Sequence, residues 1–217
     1  MTKPRRVPRT DGEATRRKLL EAAGGLFAEN GFAETTNKAV AKCAEADIAS
    51  INYHFGSRAG LYRAVLFEAH RRLISLETLE NLHQSGMEPR DKLRALIEGL
   101  VSGTAGTESW HGRVLAREIL SPSSHMQALK DQEIAGKLRI VLAIFSDITG
   151  ISPDNPELLR CALSVFAPCV ILLVARRALP FPAQGFELSR RELAEHFYQF
   201  ALGGMSAIKN AGLGEPS

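Results

Sequence analysis

Three consecutive polar side chains, Asn52, Tyr53 and His54, sit between two apolar residues, Ile51 and Phe55. A spacing of four places Ile51 and Phe55 on one helical face. Ile48, Ala49, Ser50, Asn52, Tyr53 and His54 are left on the remaining faces. Asn52 can hydrogen-bond a base edge or a phosphate. Tyr53 can stack on sugar or donate to phosphate, and His54 can donate to phosphate. Ser50 is small and polar, and Ala49 can meet a thymine methyl. The chemistry on offer is recognition of a nucleic acid. The competing arrangement packs Tyr53 and His54 into the interior.

A reading helix of this kind needs a second helix to hold it at a fixed angle. The flanking residues supply one. A short helix is expected to open at a hydroxyl cap, Thr36, and to run to Cys43. Ala44 to Ala46 form a tight turn, and Asp47 caps the second helix. Ahead of this pair, Thr10 and Glu13 have capping-box spacing. They open a helix from about Asp11 to Asn30 with Leu19, Ala23, Leu26 and Phe27 inward, closed by Asn30-Gly31. After it, Ser57 caps a long fourth helix. Leu61, Tyr62, Val65, Leu66, Ala69, Leu73 and Leu76 mark its buried face, and Gly86 and Pro89 end it.

The segment from Thr35 to Leu61 resembles the tetracycline-repressor (TetR) family of bacterial transcription regulators. The resemblance rests on Thr36, Ala44, Asp47, Tyr53-His54-Phe55, Ser57-Arg58 and Leu61-Tyr62. It covers roughly the first quarter of the chain closely, and the remainder only in length and helical character. It departs at Glu45, where the family usually has glycine. Glycine in a turn supplies positive φ, so Glu45 implies either a strained left-handed residue or a different turn. The resemblance implies DNA contacts at Ala49, Ser50, Asn52, Tyr53 and His54 and at Thr36, Asn37 and Lys38. It also implies a phosphate contact at Arg58.

Charge distribution agrees. The chain of 217 residues carries a formal net charge of +3. Residues 1–18 alone hold Lys3, Arg5, Arg6, Arg9, Arg16, Arg17 and Lys18 against Asp11 and Glu13, a net +5. A basic arm before a helix-turn-helix suits phosphate contact; a solubilising terminus would have the same composition. Cys43, Cys161 and Cys169 have no metal-ligand spacing and suit a reducing cytoplasm as small buried hydrophobes. No apolar stretch follows the basic N-terminus as in a signal peptide. The longest apolar run, Val165 to Ala175, is too short to span a bilayer. No phosphate loop, metal cluster or nucleophile motif is present, so neither an enzyme nor a cofactor is expected.

Beyond Pro89 every periodic segment reads as helix, and the expected fold is all-α with about nine helices. Residues 1–58 form the helix-turn-helix domain and 59–217 a larger helical domain. The helix from Pro156 to Arg177 is apolar nearly all round and needs burial on every side. Ser189 and Glu192 box the start of the last helix, whose Gly203-Gly204 pair allows close approach of another backbone. These two helices look like the family's dimer interface, a four-helix bundle from two subunits. The family also implies a small-molecule inducer in the second domain. Trp110, His111, Arg113 and Arg117, with Phe145, Phe166 and Cys169 as apolar lining, are its candidate contacts. A largely apolar molecule with one polar or anionic group would suit them. The expected function is a homodimeric repressor, released from a palindromic double-stranded operator by a small molecule. An activator and an architectural DNA binder remain the alternatives, and no membrane partner is expected.

Overall fold

The computed structural model describes residues 10–104, 110–178 and 188–211, and for 10, 103–104, 132 and 170–178 the backbone alone. The basic residues Lys3, Arg5, Arg6 and Arg9 lie outside the described residues. Every regular element among the described residues is helical: α1 (Thr10–Glu34), α2 (Asn37–Cys43), α3 (Ile48–Phe55), α4 (Arg58–Leu73), α5 (Leu76–Gln84), α6 (Pro89–Thr104), α7 (Trp110–Leu120), α8 (Met126–Leu129), α9 (Ala135–Thr149), α10 (Pro156–Ala178) and α11 (Arg190–Asn210). A single π-helical segment, Lys130–Ile134, joins α8 to α9.

Five of the expected caps act where the sequence places them, while the side chain of Thr10, expected to cap α1, lies outside the described residues. Thr36 accepts from the Ala39 amide at 3.1 Å and Asp47 from the Ala49 amide at 2.8 Å. Ser57 accepts from Gly60, and Asn155 from Glu157. Ser189 and Glu192 complete a reciprocal capping box. The run of α1 is interrupted at Gly31 (φ 79°, ψ 175°), a backbone conformation that glycine adopts without a Cβ clash.

The long fourth helix is corrected. It breaks after Leu73, and a separate helix starts at Leu76. Ser75 is the reason: it is extended (ψ 154°), and its hydroxyl caps α5 through the Thr78 amide at 3.0 Å.

Contacts divide the chain into two compact units. One comprises the described residues of Met1–Ala69 with Ser109–Met126; the other those of His70–Glu108 with Gln127–Ser217. The first unit thus takes in most of α4 and all of α7, whereas the sequence suggested a boundary after residue 58. Its core holds Leu19, Phe27, Ile51, Leu61 and Leu66, all fully buried. Phe27 and Phe32 pack on Tyr62, each with ring centroids 4.9 Å apart. α7 joins this unit because the Trp110 indole lies against Gly24 of α1, where a Cβ would come within 2.2 Å of the ring. In the second unit α6, α9, α10 and α11 surround Leu93, Leu96, Ile97, Ile144, Phe145 and Leu158.

Candidate DNA-reading face and apolar cavity

The helix-turn-helix is held from below and open above. Ile51 is fully buried, and Phe55 is half-buried with the Arg16 guanidinium 5.2 Å from its ring centre. Tyr53 is 85% exposed, which excludes the arrangement that buries it. Ala49 and Asn52 are exposed beside it, and Ser50 and His54 are half-buried. The Tyr53 and His54 rings meet edge to face at 4.9 Å. At the start of α2, Thr36 and Lys38 are exposed and Asn37 is half-buried. The structure therefore gathers the expected set on α3 and on the N-terminal turn of α2. Arg58 has a different immediate partner: it donates to the Thr35 carbonyl at 3.0 Å and lies 4.4 Å over the Phe32 ring. In this position it ties the α1–α2 junction to α4.

The turn between α2 and α3 answers the question raised by Glu45. Its φ is 51°, the left-handed alternative, and it is the single non-glycine with positive φ among the described residues. Cys43 is exposed rather than buried, which corrects the expectation for that thiol. It ends a seven-residue helix whose inward positions are Val40 and Ala41. Cys161 and Cys169 are buried.

The polar residues expected at an effector site are engaged elsewhere. Trp110 donates to Glu21 at 2.7 Å, and its ring stacks on His111 at 3.7 Å. Arg117 donates to the Glu29 carbonyl at 2.9 Å, and Arg113 pairs with the Glu29 carboxylate at 3.8 Å. All four stand on α7, in the first unit. Glu118, almost fully buried, accepts from the Tyr62 hydroxyl at 2.7 Å and from the backbone and hydroxyl of Ser123.

A cavity of about 390 Å³ opens instead within the second unit. α4, α5, α6, α9 and α10 line it with Leu73, Leu79, Leu96, Leu100, Val141, Leu163, Phe166 and Cys169, among other residues. Phe166 and Cys169 are the two expected residues it contains. Phe145 does not line it but backs Phe166, stacked at 6.3 Å. Two polar side chains, His70 and Lys137, complete the wall. Lys137 is buried, with its Nζ 2.9 Å from His70 Nδ1 and 3.3 Å from the Glu133 carboxylate. Arg71 pairs with Glu133 at 2.7 Å. Burial, reinforced by the Lys137 charge, pushes the His70 imidazole down to about 4. Burial also lowers Lys137, against the pull of Glu133. Burial opposes the Glu133 charge, but Arg71 and Lys137 outweigh it and hold the carboxyl below its usual range. The π-helical segment presents Glu133 one turn before Lys137, and such segments often sit at functional sites. Sequence reasoning passed over this cluster. The signal was Lys137 itself, in register with buried Val141, Ile144 and Phe145 on one helical stripe.

A capped helix-turn-helix with an exposed polar second helix, followed by a helical unit with an apolar cavity, defines the class of helix-turn-helix regulators. The comparisons with known proteins are specific within it. Residues 19–65 match the family model described as bacterial regulatory proteins, tetR family. Residues 89–205, more than half of the chain, match that of the C-terminal domain of the HTH-type transcriptional dual regulator CecR. The chain belongs to the TetR family. The HTH-type transcriptional regulator UidR of Escherichia coli strain K12 is 26% identical over 132 residues, which span 60% of this chain and 60% of that protein. A TetR-like regulator from Rhodococcus sp. RHA1 superimposes with a TM-score of 0.64 at 20% identity, over 93% of this chain and 99% of that one. The regulator FadR from Bacillus subtilis, solved with stearoyl-CoA, reaches 0.68 at 15% identity, over 87% and 98%. At these identities the two structures speak for the fold alone.

Proposed function

We propose that this chain is a homodimeric transcription repressor that binds a palindromic DNA operator and releases it when a small molecule occupies the second unit. The observation that carries the reading is the exposed polar face of α3, with Tyr53 85% exposed beside Asn52. A buried Ile51 and a capped N-terminus hold that face in place. Such a helix supplies base-edge and phosphate contacts from one subunit, and two subunits read two half-sites about one helical turn apart. The DNA-binding part remains residues 1–58, with the contact set Thr36, Asn37, Lys38, Ala49, Ser50, Asn52, Tyr53 and His54. Arg58 acts on DNA by holding the α1–α2 junction through the Thr35 carbonyl.

Dimerisation is supported by the outer faces of α10 and α11. Leu159, Leu163 and Phe200 are 41%, 63% and 72% exposed, and Gly203 and Gly204 lie exposed near Phe200. An apolar stripe with small residues suits a second copy of the same helices. The FadR structure with stearoyl-CoA supports a small-molecule effector in this fold. An effector that binds better to the DNA-incompetent state shifts the population toward it. α4 contains the boundary between the units, at Ala69 and His70, and His70 lines the cavity. It is the element through which occupancy is felt at the head.

Footprinting on the DNA around the chain's own gene tests the reading. A single short palindromic site is expected, and Tyr53→Ala or Asn52→Ala should weaken it by roughly 1–3 kcal/mol with fold and dimer intact. Broad protection without a preferred site would favour an architectural DNA binder instead.

A further inference from the structure

We propose that the cavity binds a single-chain amphiphile whose carboxylate head is anchored by Lys137, with its hydrocarbon body among the leucines. The inference deepens the effector reading above and rests on it for its biological meaning.

The walls set the body of the ligand. Leu73, Leu96, Leu100, Val141 and Phe166 offer no hydrogen-bond partner for a polar body. The Lys137 cluster sets the head. An ammonium carries three N–H donors and no acceptor. The contact at 2.9 Å therefore makes His70 Nδ1 the acceptor, which places the imidazole proton on Nε2. His70 and Glu133 occupy two of the Lys137 donors. Among the described residues the third has no further partner and can meet a ligand oxygen, and the His70 Nε2–H adds a donor on a residue of the same wall. Within this group of four, Arg71 and Lys137 are cationic, Glu133 is anionic and His70 is neutral. The surplus positive charge is shared by Lys137, buried against Glu133, and Arg71, whose side chain is 59% exposed, so this end of the cavity wall is net cationic. A carboxylate supplies that counter-charge and accepts the free donors. A neutral head supplies neither, and a cationic head adds to the imbalance.

The volume admits such a body. At roughly 30 Å³ for each water-sized group, a cavity of about 390 Å³ holds about a dozen non-hydrogen atoms. A saturated carboxylate of medium chain length fits that number.

The test uses the full-length, DNA-free protein and two probes of equal chain length, sodium decanoate and 1-decanol, titrated by calorimetry. Decanoate should bind on the order of tenfold or more tightly than decanol, as for a charge-assisted hydrogen bond. Lys137→Met should lose that advantage without weakening decanol, and Lys137→Arg should recover part of it. Equal affinities for the two probes in the wild-type protein would overturn the proposal without recourse to any variant, as would undiminished decanoate binding by Lys137→Met. Absence of decanoate binding in a protein that still shifts its operator would overturn the ligand class and leave the regulator reading standing. Decanoate binding in a protein that shifts no DNA would do the reverse.

Discussion

Replacing Glu45 by glycine should stabilise the head. Glu45 sits in the α2–α3 turn at φ 51°, and its side chain is exposed. A left-handed backbone brings Cβ too near the following carbonyl, at a cost of about 1–2 kcal/mol for an L-residue. Glycine removes that clash but loses about 0.5–1 kcal/mol more conformational freedom on folding. The net gain expected for Glu45→Gly is therefore about 0.75 kcal/mol, the difference between the middles of the two ranges. The backbone hydrogen bonds of the turn, Glu45 N–H to Lys42 and Ala46 N–H to Ala41, survive the change. Glu45→Ala is the control: it also removes the charge but keeps a Cβ in the left-handed region, so it should gain nothing from strain relief. The protein's one tryptophan, Trp110, lies against α1 in the same unit, so its fluorescence reports this unfolding. Urea titrations should show a higher midpoint for Glu45→Gly with an unchanged slope. A Glu45→Gly variant no more stable than Glu45→Ala would show that the turn holds Glu45 without strain, and the argument would fail.

Three further outcomes follow from the packing and the charges. Gly24→Ala places a Cβ against the Trp110 ring, whereas Gly25→Ala meets nothing within 4 Å. Both gain the same helix propensity, so their stability difference reads the overlap alone, about 1–3 kcal/mol against Gly24→Ala; equal melting points would mean that the indole moves aside freely. Phe200→Glu should convert a dimer to a monomer in light scattering at micromolar concentration, because an exposed apolar ring on the proposed interface becomes a charge; a variant that stays dimeric would place the interface elsewhere. His70 is held neutral with its value lowered to about 4, so the unfolded chain binds more protons between about pH 6.5 and 4. Its contribution to stability is therefore complete above about pH 6.5 and is lost as pH falls toward 4. His70→Gln should flatten that part of the melting-temperature profile, and an unchanged profile would show that His70 titrates normally.

The head was legible in the sequence because its signals are local. Thr36, Asp47 and Ser57 each cap a helix within three residues of themselves, and Ile51 with Phe55 fixes which way α3 turns its polar side. Glu45, standing where the family usually has glycine, left two turn conformations open in the sequence, and its φ of 51° is the left-handed one. The α4–α5 break was harder to see, because Leu73 and Leu76 continue the apolar period across it. There a serine cap in extended conformation won over periodicity. The place of α7 was not legible at all. Its mixture of Arg113, Arg117 and Trp110 suits a ligand wall as well as a packed helix. The deciding contact, Trp110 on Gly24, joins residues 86 positions apart. Lys137 is the opposite case. A lysine in register with Val141, Ile144 and Phe145 must be buried if the stripe is buried, and a buried ammonium requires partners. That argument needs only the sequence of α9. Its conclusion, a paired cation beside apolar side chains, is what His70 and Glu133 supply. A charged residue inside an apolar helical stripe was thus a pointer to the wall of the apolar cavity, where Lys137 stands.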